Sequence, residues 1–196
     1  MITRAQYEAH KRRAAELLER AGIVVRPDEL ARIEVADVGL SEIEQSGLQI
    51  LTLVQTQNIG VKVLVLLPNQ IFPEHKHPPL GDYPGKEETF RCEWGELYLY
   101  MPGEPTPTPK ARPPAHRKHT YTVWHETILH PGDQLTSPPN TFHWFQAGPE
   151  GAVVWSFSSR PTDVEDVFTD PDVRRKTVIA DEQPDDPILE QRELER

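Results

Sequence analysis

The hydrophobic pattern divides the chain near Pro27 into a helical part and a β part. At the start of the chain, the apolar side chains of Tyr7, Ala14, Leu17, Leu18 and Ala21 recur at helical spacing. Thr3 and Gln6 have the spacing of a capping box, and Gly22 is a stop signal. The pattern therefore predicts a helical segment over residues 1–26, with a helix at 4–21. We expect its apolar stripe to pack against the main domain or a second subunit.

After Pro27 the chain becomes a series of short β-rich runs bounded by Gly, Pro, Asn and Asp, a pattern typical of strands and turns. The predicted strands are 48–56, 61–67, 87–93, 95–100, 120–129, 133–137, 143–147 and 152–158. No second helical pattern of similar strength interrupts them, which argues against a parallel doubly wound sheet. The sequence therefore predicts an all-β domain over 27–175, an antiparallel sandwich or barrel, followed by a charged tail at 176–196.

Composition narrows the range of partners and of cellular locations. A length of 196 residues suits one domain, and the net charge of −10 would repel nucleic acid and anionic membrane surfaces, so a small neutral ligand is favoured. Cys92 is the single cysteine, and no signal sequence or membrane-spanning stretch is evident. We therefore expect a cytoplasmic protein. The N-terminal helix and unprotected sheet edges favour a homodimer.

Six prolines interrupt the stretch 102–119, "PGEPTPTPKARPPAHRKH". They forbid regular helix or strand and favour an extended surface segment. Two interpretations stay open. The segment is either a solvated loop or a flap that brings cations to the mouth of the barrel or to a subunit contact, and those cations would be Lys110, Arg112, Arg117 and Lys118.

Four side chains in separate strands have the chemistry of a metal site. His75 and His77 share strand parity, so their imidazoles leave the same face of the strand. Glu88 lies on a later strand, and Gly95 allows a tight turn after it. His143 begins another strand that would face the same interior. Three imidazoles and one carboxylate suit Mn, Fe, Ni, Co or Zn, and an octahedral ion would keep two positions open for neighbouring substrate oxygens.

The other histidines lack this context, and we expect them to be structural: His10, His116, His119, His125 and His130. His125 is the one that could line the barrel.

The region of His75, His77 and Glu88 and the region before His143 resemble the paired motifs of the cupin superfamily. The first motif is His-x-His, then a glutamate, six residues and a glycine; the second is a glycine, five residues, a proline and then a histidine. The matching residues are His75, His77, Glu88 and Gly95, and then Gly132, Pro138 and His143. The resemblance implies a jelly-roll barrel.

The sequence departs from the cupin motifs in three places. The gap between His77 and Glu88 is longer than usual, Asn69 stands where the first motif commonly begins with glycine, and Asn140 replaces the glycine before the last histidine. The long gap implies an extra loop, "PPLGDYPGKE", at the metal.

Longer stretches are similar to the D-lyxose isomerase family, a group of manganese-dependent cupin sugar isomerases. They are "EHKHPPLGDYPGKEETFRCEWGELYLY", "YTVWHETILHPGDQLTSPPNTFHWFQAG" and "FSSRPTDVEDVFTDP". The resemblance covers most of residues 25–175. It implies Mn²⁺ as cofactor and interconversion of D-lyxose with D-xylulose, often with D-mannose and D-fructose as a second pair.

Aldose–ketose isomerisation moves hydrogen between C1 and C2 and needs an acid and a base beside the ion. Asp166 and Asp170 are our predicted proton-transfer groups, from a stretch that also supplies Asp163 and Glu165. Lys86, two residues before Glu88, is predicted to hold a substrate hydroxyl or to stabilise a developing oxyanion.

Aromatic side chains can orient a sugar by stacking and by hydrogen bonding. The residues that we expect to contact the sugar in this way are Tyr98, Tyr121 and Trp124, although most aromatics of these strands are core. Two other functions share the same four ligands, an Fe(II) cupin dioxygenase and a non-catalytic sugar-binding cupin. A phosphosugar substrate also stays open, because the Pro-rich stretch carries four cations.

Overall fold

The structure, a computed structural model, describes residues 1–180. Two α-helices precede most of the sheet: α1 at Arg4–Arg20 and α2 at Pro27–Ala31. The strands are β1 Glu34–Ala36, β2 Leu48–Gln55, β3 Ile59–Leu66, β4 Ile71–Lys76, β5 Glu88–Met101, β6 His125–Leu129, β7 Gln134–Ser137, β8 His143–Ser159 and β9 Val167–Phe168. The predicted all-β architecture with an N-terminal helix is confirmed.

The strand β8 holds the sheet together. Its first half pairs with β4, its second half pairs with β3, and β5 runs along almost all of it. The other edge of β5 pairs with β6 and β7. All of these pairings are antiparallel, and together they curl the sheet around one apolar interior.

At two places where the sequence predicts a boundary between strands, the structure has one continuous strand. The runs 87–93 and 95–100 form one strand, β5, and the runs 143–147 and 152–158 form β8. Gly95 does not begin a new strand. It lies inside β5 at a φ of +77°, opposite Ala152 and between two register shifts. The expected tight turn is therefore a β-bulge, which bends β5 without ending it.

The prediction of strands was incomplete elsewhere. The short strands β1 and β9 and the strand β4, which carries His75, were not among the predicted runs, and the predicted strand at 120–129 begins only at His125. Short strands carry too few alternating positions to be recognised without their pairing partners.

The helix α1 confirms its capping box, because Gln6 N donates to Thr3 Oγ1 and Thr3 N donates to Gln6 Oε1. Its buried side chains Ala14, Leu17 and Leu18 pack on the outer face of the sheet, against residues such as Val63. The apolar stripe is thus covered by the protein's own sheet. The homodimer stays a prediction.

The end of the described chain returns to its beginning. Ile179 bridges to Ile2, and Ala180 N donates to Ile2 O at 2.9 Å. The rest of the predicted tail, 181–196, lies outside the described residues. Within residues 1–180, every helix falls short of the length and apolar character that a bilayer crossing requires.

The Pro-rich segment is bound tightly to the outside of the barrel. Ala111 N donates to Tyr100 Oη at 3.0 Å, and Arg112 N donates to Gln146 Oε1 at 2.6 Å. Further along, Arg117 donates to Asp170 at 2.8 Å. These hydrogen bonds attach the segment to the barrel at Ala111, Arg112 and Arg117, while most of its side chains stay exposed.

The two motif glycines should differ in how much they tolerate a side chain. A Cβ at Gly95 would lie 2.1 Å from the carbonyl oxygen of Gly151, whereas a Cβ at Gly132, at a φ of +97°, would meet nothing within 4 Å. Both substitutions to alanine incur the left-handed backbone cost of about 1–3 kcal/mol. Gly95→Ala should lose about 1–3 kcal/mol more, because the clash forces the strands apart. Urea unfolding of both variants measures this, and equal losses would contradict it.

Candidate metal centre

Three buried histidines meet inside the barrel. His75 on β4 is the cross-strand partner of His143 on β8, and His77 follows two residues later on the same face. Their ring centroids are 4.3–5.1 Å apart, and one ligand nitrogen from each ring lies within 4.8 Å of the others. The predicted convergence of these three side chains is therefore present in the structure.

Backbone carbonyls orient two of the rings. His75 Nδ1 lies 2.9 Å from Pro73 O, and His143 Nδ1 lies 2.9 Å from Thr141 O. Because a carbonyl only accepts, each Nδ1 carries the proton and each Nε2 keeps a free lone pair. Burial, followed by the neighbouring imidazoles, lowers the pKa of His143 to about 3 and holds the pKa of His75 well below its usual value. Both rings are therefore in the neutral form that binds metal ions.

One of these nitrogens has no partner. His143 Nε2 is buried and makes no hydrogen bond among the described residues. An unpaired buried acceptor is costly, and native proteins rarely leave one without a ligand or water. A divalent cation beside the three rings would bind this lone pair, so the donor set fits the metal that the motif implies.

Glu88, at the start of β5, lies beside the histidines. Its Oε2 is 2.9 Å from His77 Nε2 and 3.0 Å from Lys86 Nζ, and its other oxygen accepts a short hydrogen bond from the Ser156 hydroxyl. Burial raises the pKa of Glu88, but Lys86, His77 and Ser156 outweigh this and hold it well below its usual range. An ionised carboxylate therefore adjoins the three imidazoles, where the sequence places the fourth ligand.

Asp166 contacts the third histidine, His77, at the ring nitrogen Nδ1. Its Oδ1 lies 2.6 Å from His77 Nδ1, because the pairing of β9 with β4 brings the preceding residue against the histidines. A carboxylate in this position fixes the ring orientation and increases its basicity. Burial raises the pKa of Asp166 above its usual value despite the His77 contact.

The histidine group opens on a small cavity of about 30 Å³. Its apolar wall consists of Leu48, Ile50, Leu64, Phe72, Phe90 and Phe145. Its polar wall consists of His75, Lys62, Lys86, Glu88, Asp163, Asp166 and Arg175. Four of these polar residues, Lys86, Glu88, His75 and Asp166, were predicted site residues.

The extra loop at 78–87 delivers Lys86 to this cavity. Tyr83 Oη lies 2.8 Å from Ser159 Oγ, and Glu87 N donates to the same oxygen at 3.0 Å. These contacts hold the loop against the end of β8. The loop therefore lies at the candidate metal centre, as the long motif gap implies.

Sequence reasoning missed two cations of the cavity, Lys62 and Arg175. Lys62 could have been found, because it shares inward parity with Leu64 in an otherwise apolar strand. Arg175 donates to Glu34 and reaches the cavity from the segment after β9, where no periodic pattern marks it. Asp163, named only as one of several carboxylates, makes ion pairs with both Lys62 and Lys86.

Asp170 does not line the cavity. Its buried carboxylate accepts from Arg117 Nη1 at 2.8 Å and from Asp172 N at 2.9 Å. This carboxylate is therefore hydrogen bonded outside the cavity wall. Of the two predicted proton-transfer groups, the structure therefore brings only Asp166 to the site.

The three predicted sugar-contacting aromatics also lie away from the cavity. On β5, Leu97 and Leu99 face the interior, so Tyr98 faces outward and donates to Glu96 Oε2 at 2.9 Å. Tyr121 and Trp124 pack around Trp144 beneath the Pro-rich segment. The aromatic residues that line the cavity are Phe72, Phe90 and Phe145. None of the four cations of the Pro-rich segment is among the described cavity residues.

Comparison with curated proteins gives relatives with similar names. The chain is 52% identical over 175 residues to D-lyxose ketol-isomerase of Thermofilum sp. (strain ex4484_79), covering 89% of this chain and 97% of the relative. It is 49% identical over 181 residues to D-lyxose/D-mannose isomerase of Thermosediminibacter oceani, covering 92% and 100%. D-lyxose ketol-isomerase of Cohnella laeviribosi is 51% identical over 167 residues, covering 85% and 92%. No protein-family model matches the chain.

Solved structures support the same fold. The L-ribose isomerase of Cellulomonas parahominis superposes with a TM-score of 0.76 at 18% identity, covering 91% of this chain and 98% of that one. The L-ribose isomerase of Acinetobacter sp. DL28, in complex with L-ribose, gives a TM-score of 0.76 at 16% identity with the same coverage. At these identities the likeness establishes the cupin-type barrel.

Loss of the His143 imidazole, whose Nε2 has no partner among the described residues, should abolish tight metal binding. Titration of metal-free protein with Mn²⁺, followed by calorimetry, should show binding and a raised melting temperature, because the ion binds only the folded state. His143→Gln should weaken binding by at least about 100-fold. The matched control is His119→Gln, which changes an exposed histidine. Equal Mn²⁺ affinity in the two variants would contradict the site.

Proposed function

The chain belongs to the D-lyxose isomerase family of sugar isomerases, and we propose that it interconverts D-lyxose with D-xylulose and D-mannose with D-fructose by metal-dependent proton transfer. One relative carries both sugars in its name, at 49% identity over its whole length. The observation that carries the proposal is the group of three buried imidazoles and one carboxylate beside a cavity lined by further charged side chains.

The metal-binding residues in this proposal are His75, His77, Glu88 and His143. A divalent ion, with Mn²⁺ as our first choice, supplies a Lewis acid that polarises the sugar oxygens on C1 and C2 and stabilises the enediolate charge. The chain's own contribution is to present the two Nε2 lone pairs of His75 and His143 without needing to deprotonate them.

Lys86 is the proposed electrostatic partner of the reacting oxygens. It is buried between Glu88 and Asp163, and although burial lowers its pKa, these carboxylates outweigh that effect and raise the pKa above its usual value. The side chain thus stays an ammonium in the cavity. A fixed positive charge of this kind stabilises negative charge as it develops on a substrate oxygen.

Asp166 is the proposed proton-transfer group. It lines the cavity, and its raised pKa brings it closer to a neutral working pH, which improves proton exchange with carbon and oxygen acids. Its contact with His77 holds the carboxylate in one position. Asp170, bound to Arg117 outside the cavity, is not proposed for this role.

Ketose formation tests the proposal directly. Metal-depleted protein is reloaded with Mn²⁺ and incubated without oxygen with lyxose, mannose, xylose or ribose, and ketose is measured. We expect xylulose from lyxose and fructose from mannose. Activity without oxygen argues against a dioxygenase, and the absence of ketose from every sugar would reject the isomerase proposal in favour of a binding protein.

Asp166→Asn should separate chemistry from metal binding. The asparagine oxygen can still accept from His77, so Mn²⁺ affinity should change by less than about 10-fold, while kcat falls by about 10²–10⁴-fold. Glu165→Gln, an exposed neighbour in the same turn, is the matched control and should keep wild-type kcat. If Asp166→Asn keeps the wild-type kcat, Asp166 takes no part in the reaction. If the variant loses activity only because it binds less Mn²⁺, Asp166 is a positioning residue for His77.

A further inference from the structure

We infer that Lys62 is a sugar-binding residue that Asp163 masks, and that the turn Asp163–Glu165 moves aside when the sugar enters. The inference rests on the proposed function, since it concerns the same cavity. It adds a substrate contact remote from the metal-binding residues and a reason for the closed form seen here.

The cavity is too small for its substrate in this form. Its volume is about 30 Å³, while a single water molecule needs roughly 10–15 Å³ on the same measure. A pentose is several times larger than a water molecule. Movement that enlarges the cavity would involve the parts of the wall outside the barrel strands, because the strands cannot shift without unpairing.

Lys62 is an unusual residue for its position. It is 7% exposed and lies on β3 with Leu64 and Leu66 on the same inward face. A buried ammonium is costly unless an acceptor is present. The one ion pair that the described residues give it is a short contact with Asp163 Oδ2. An apolar residue would fill this position at less cost, so the lysine indicates a ligand with polar atoms.

Asp163 belongs to the part of the wall that can move. It lies in a single 3-10 turn whose next residue, Val164, is 82% exposed. Behind it, Thr162 Oγ1 is buried without a hydrogen-bond partner in the described chain. The Asp163 carboxylate links this turn to the cavity through Lys62 and Lys86, and Asp166, the next residue after the turn, adds a separate contact with His77.

A sugar that displaced the Asp163 carboxylate would keep both lysine ammonium groups hydrogen bonded. Each ammonium now donates to one carboxylate oxygen, and a polyol presents hydroxyl oxygens that accept the same hydrogen bonds. Lys86 also contacts Glu88 at 3.0 Å, so it lies at the metal end of the cavity. Lys62 lies beyond Asp163, and it would contact a hydroxyl remote from C1 and C2.

Two substitutions should change the affinity for a sugar analogue in opposite directions. The probe is D-arabinitol, the non-isomerisable pentitol formed by reducing D-lyxose, titrated by calorimetry into Mn²⁺-loaded protein. Lys62→Met should weaken pentitol binding and raise KM by about 10-fold, with kcat within about threefold of wild type. Asp163→Asn should bind the pentitol several-fold more tightly, because it removes the competing carboxylate. Lys118→Met, an exposed lysine of the Pro-rich segment, is the control.

A readout that needs no sugar tests the turn itself. Amide hydrogen exchange at residues 162–166 should be faster in Asp163→Asn than in wild type, since the turn loses its ion pairs. Melting temperature and Mn²⁺ content of each variant establish that it is folded and loaded. Unchanged exchange would overturn the masking role.

The outcomes separate this inference from the proposed function. Ketose formation by wild type, with unaltered pentitol binding in Lys62→Met, would overturn the role of Lys62 alone. A kcat loss above about 100-fold in Asp163→Asn with unchanged pentitol binding would make Asp163 a catalytic residue and overturn masking. Wild-type protein that neither binds the pentitol nor forms ketose would overturn both proposals.

Discussion

The burial of three imidazoles at one point inside an apolar barrel is the constraint on which the rest of the site depends. Burial keeps His75 and His143 unprotonated, and backbone carbonyls at Pro73 and Thr141 fix which nitrogen carries the proton. The result is a buried Nε2 on His143 for which residues 1–180 provide no hydrogen-bond partner. This lone pair is therefore free to bind a ligand.

The charges around this point alternate in sign along a chain of contacts. Lys62 meets Asp163, Asp163 meets Lys86, and Lys86 meets Glu88, which lies against His77. Every one of these groups is largely buried, so removing any member would leave an uncompensated charge. Replacement by apolar residues would stabilise such a core more simply. The retention of so many buried charges is therefore better explained by a polar ligand than by folding.

The outer layers explain why the Pro-rich segment does not reach the cavity. Glu74, beside His75 but on the opposite face of β4, accepts hydrogen bonds from Thr122 N, Thr122 Oγ1 and Val123 N. Thr122 and Val123 follow the Pro-rich segment, and Ala111 of that segment packs with Tyr100 and Trp144 on the outer face of the sheet. The ordering of this stretch supports the strand that carries the histidines from behind, while the segment that includes Asp163 and Asp166 closes the cavity in front.

Patterns along the chain were enough to predict the capped helix, the all-β class and the three histidines with their neighbouring glutamate. Each of these depends on local spacing: Thr3 to Gln6, the alternation along a strand, or the parity of His75 and His77. Tertiary structure decided the rest. Only the pairing of β9 with β4 placed Asp166 at His77 and left Asp170 with Arg117, and only the register of β5 turned Tyr98 outward. Which side chains from distant segments share a cavity depends on strand register, and register is set by the packing of the whole barrel.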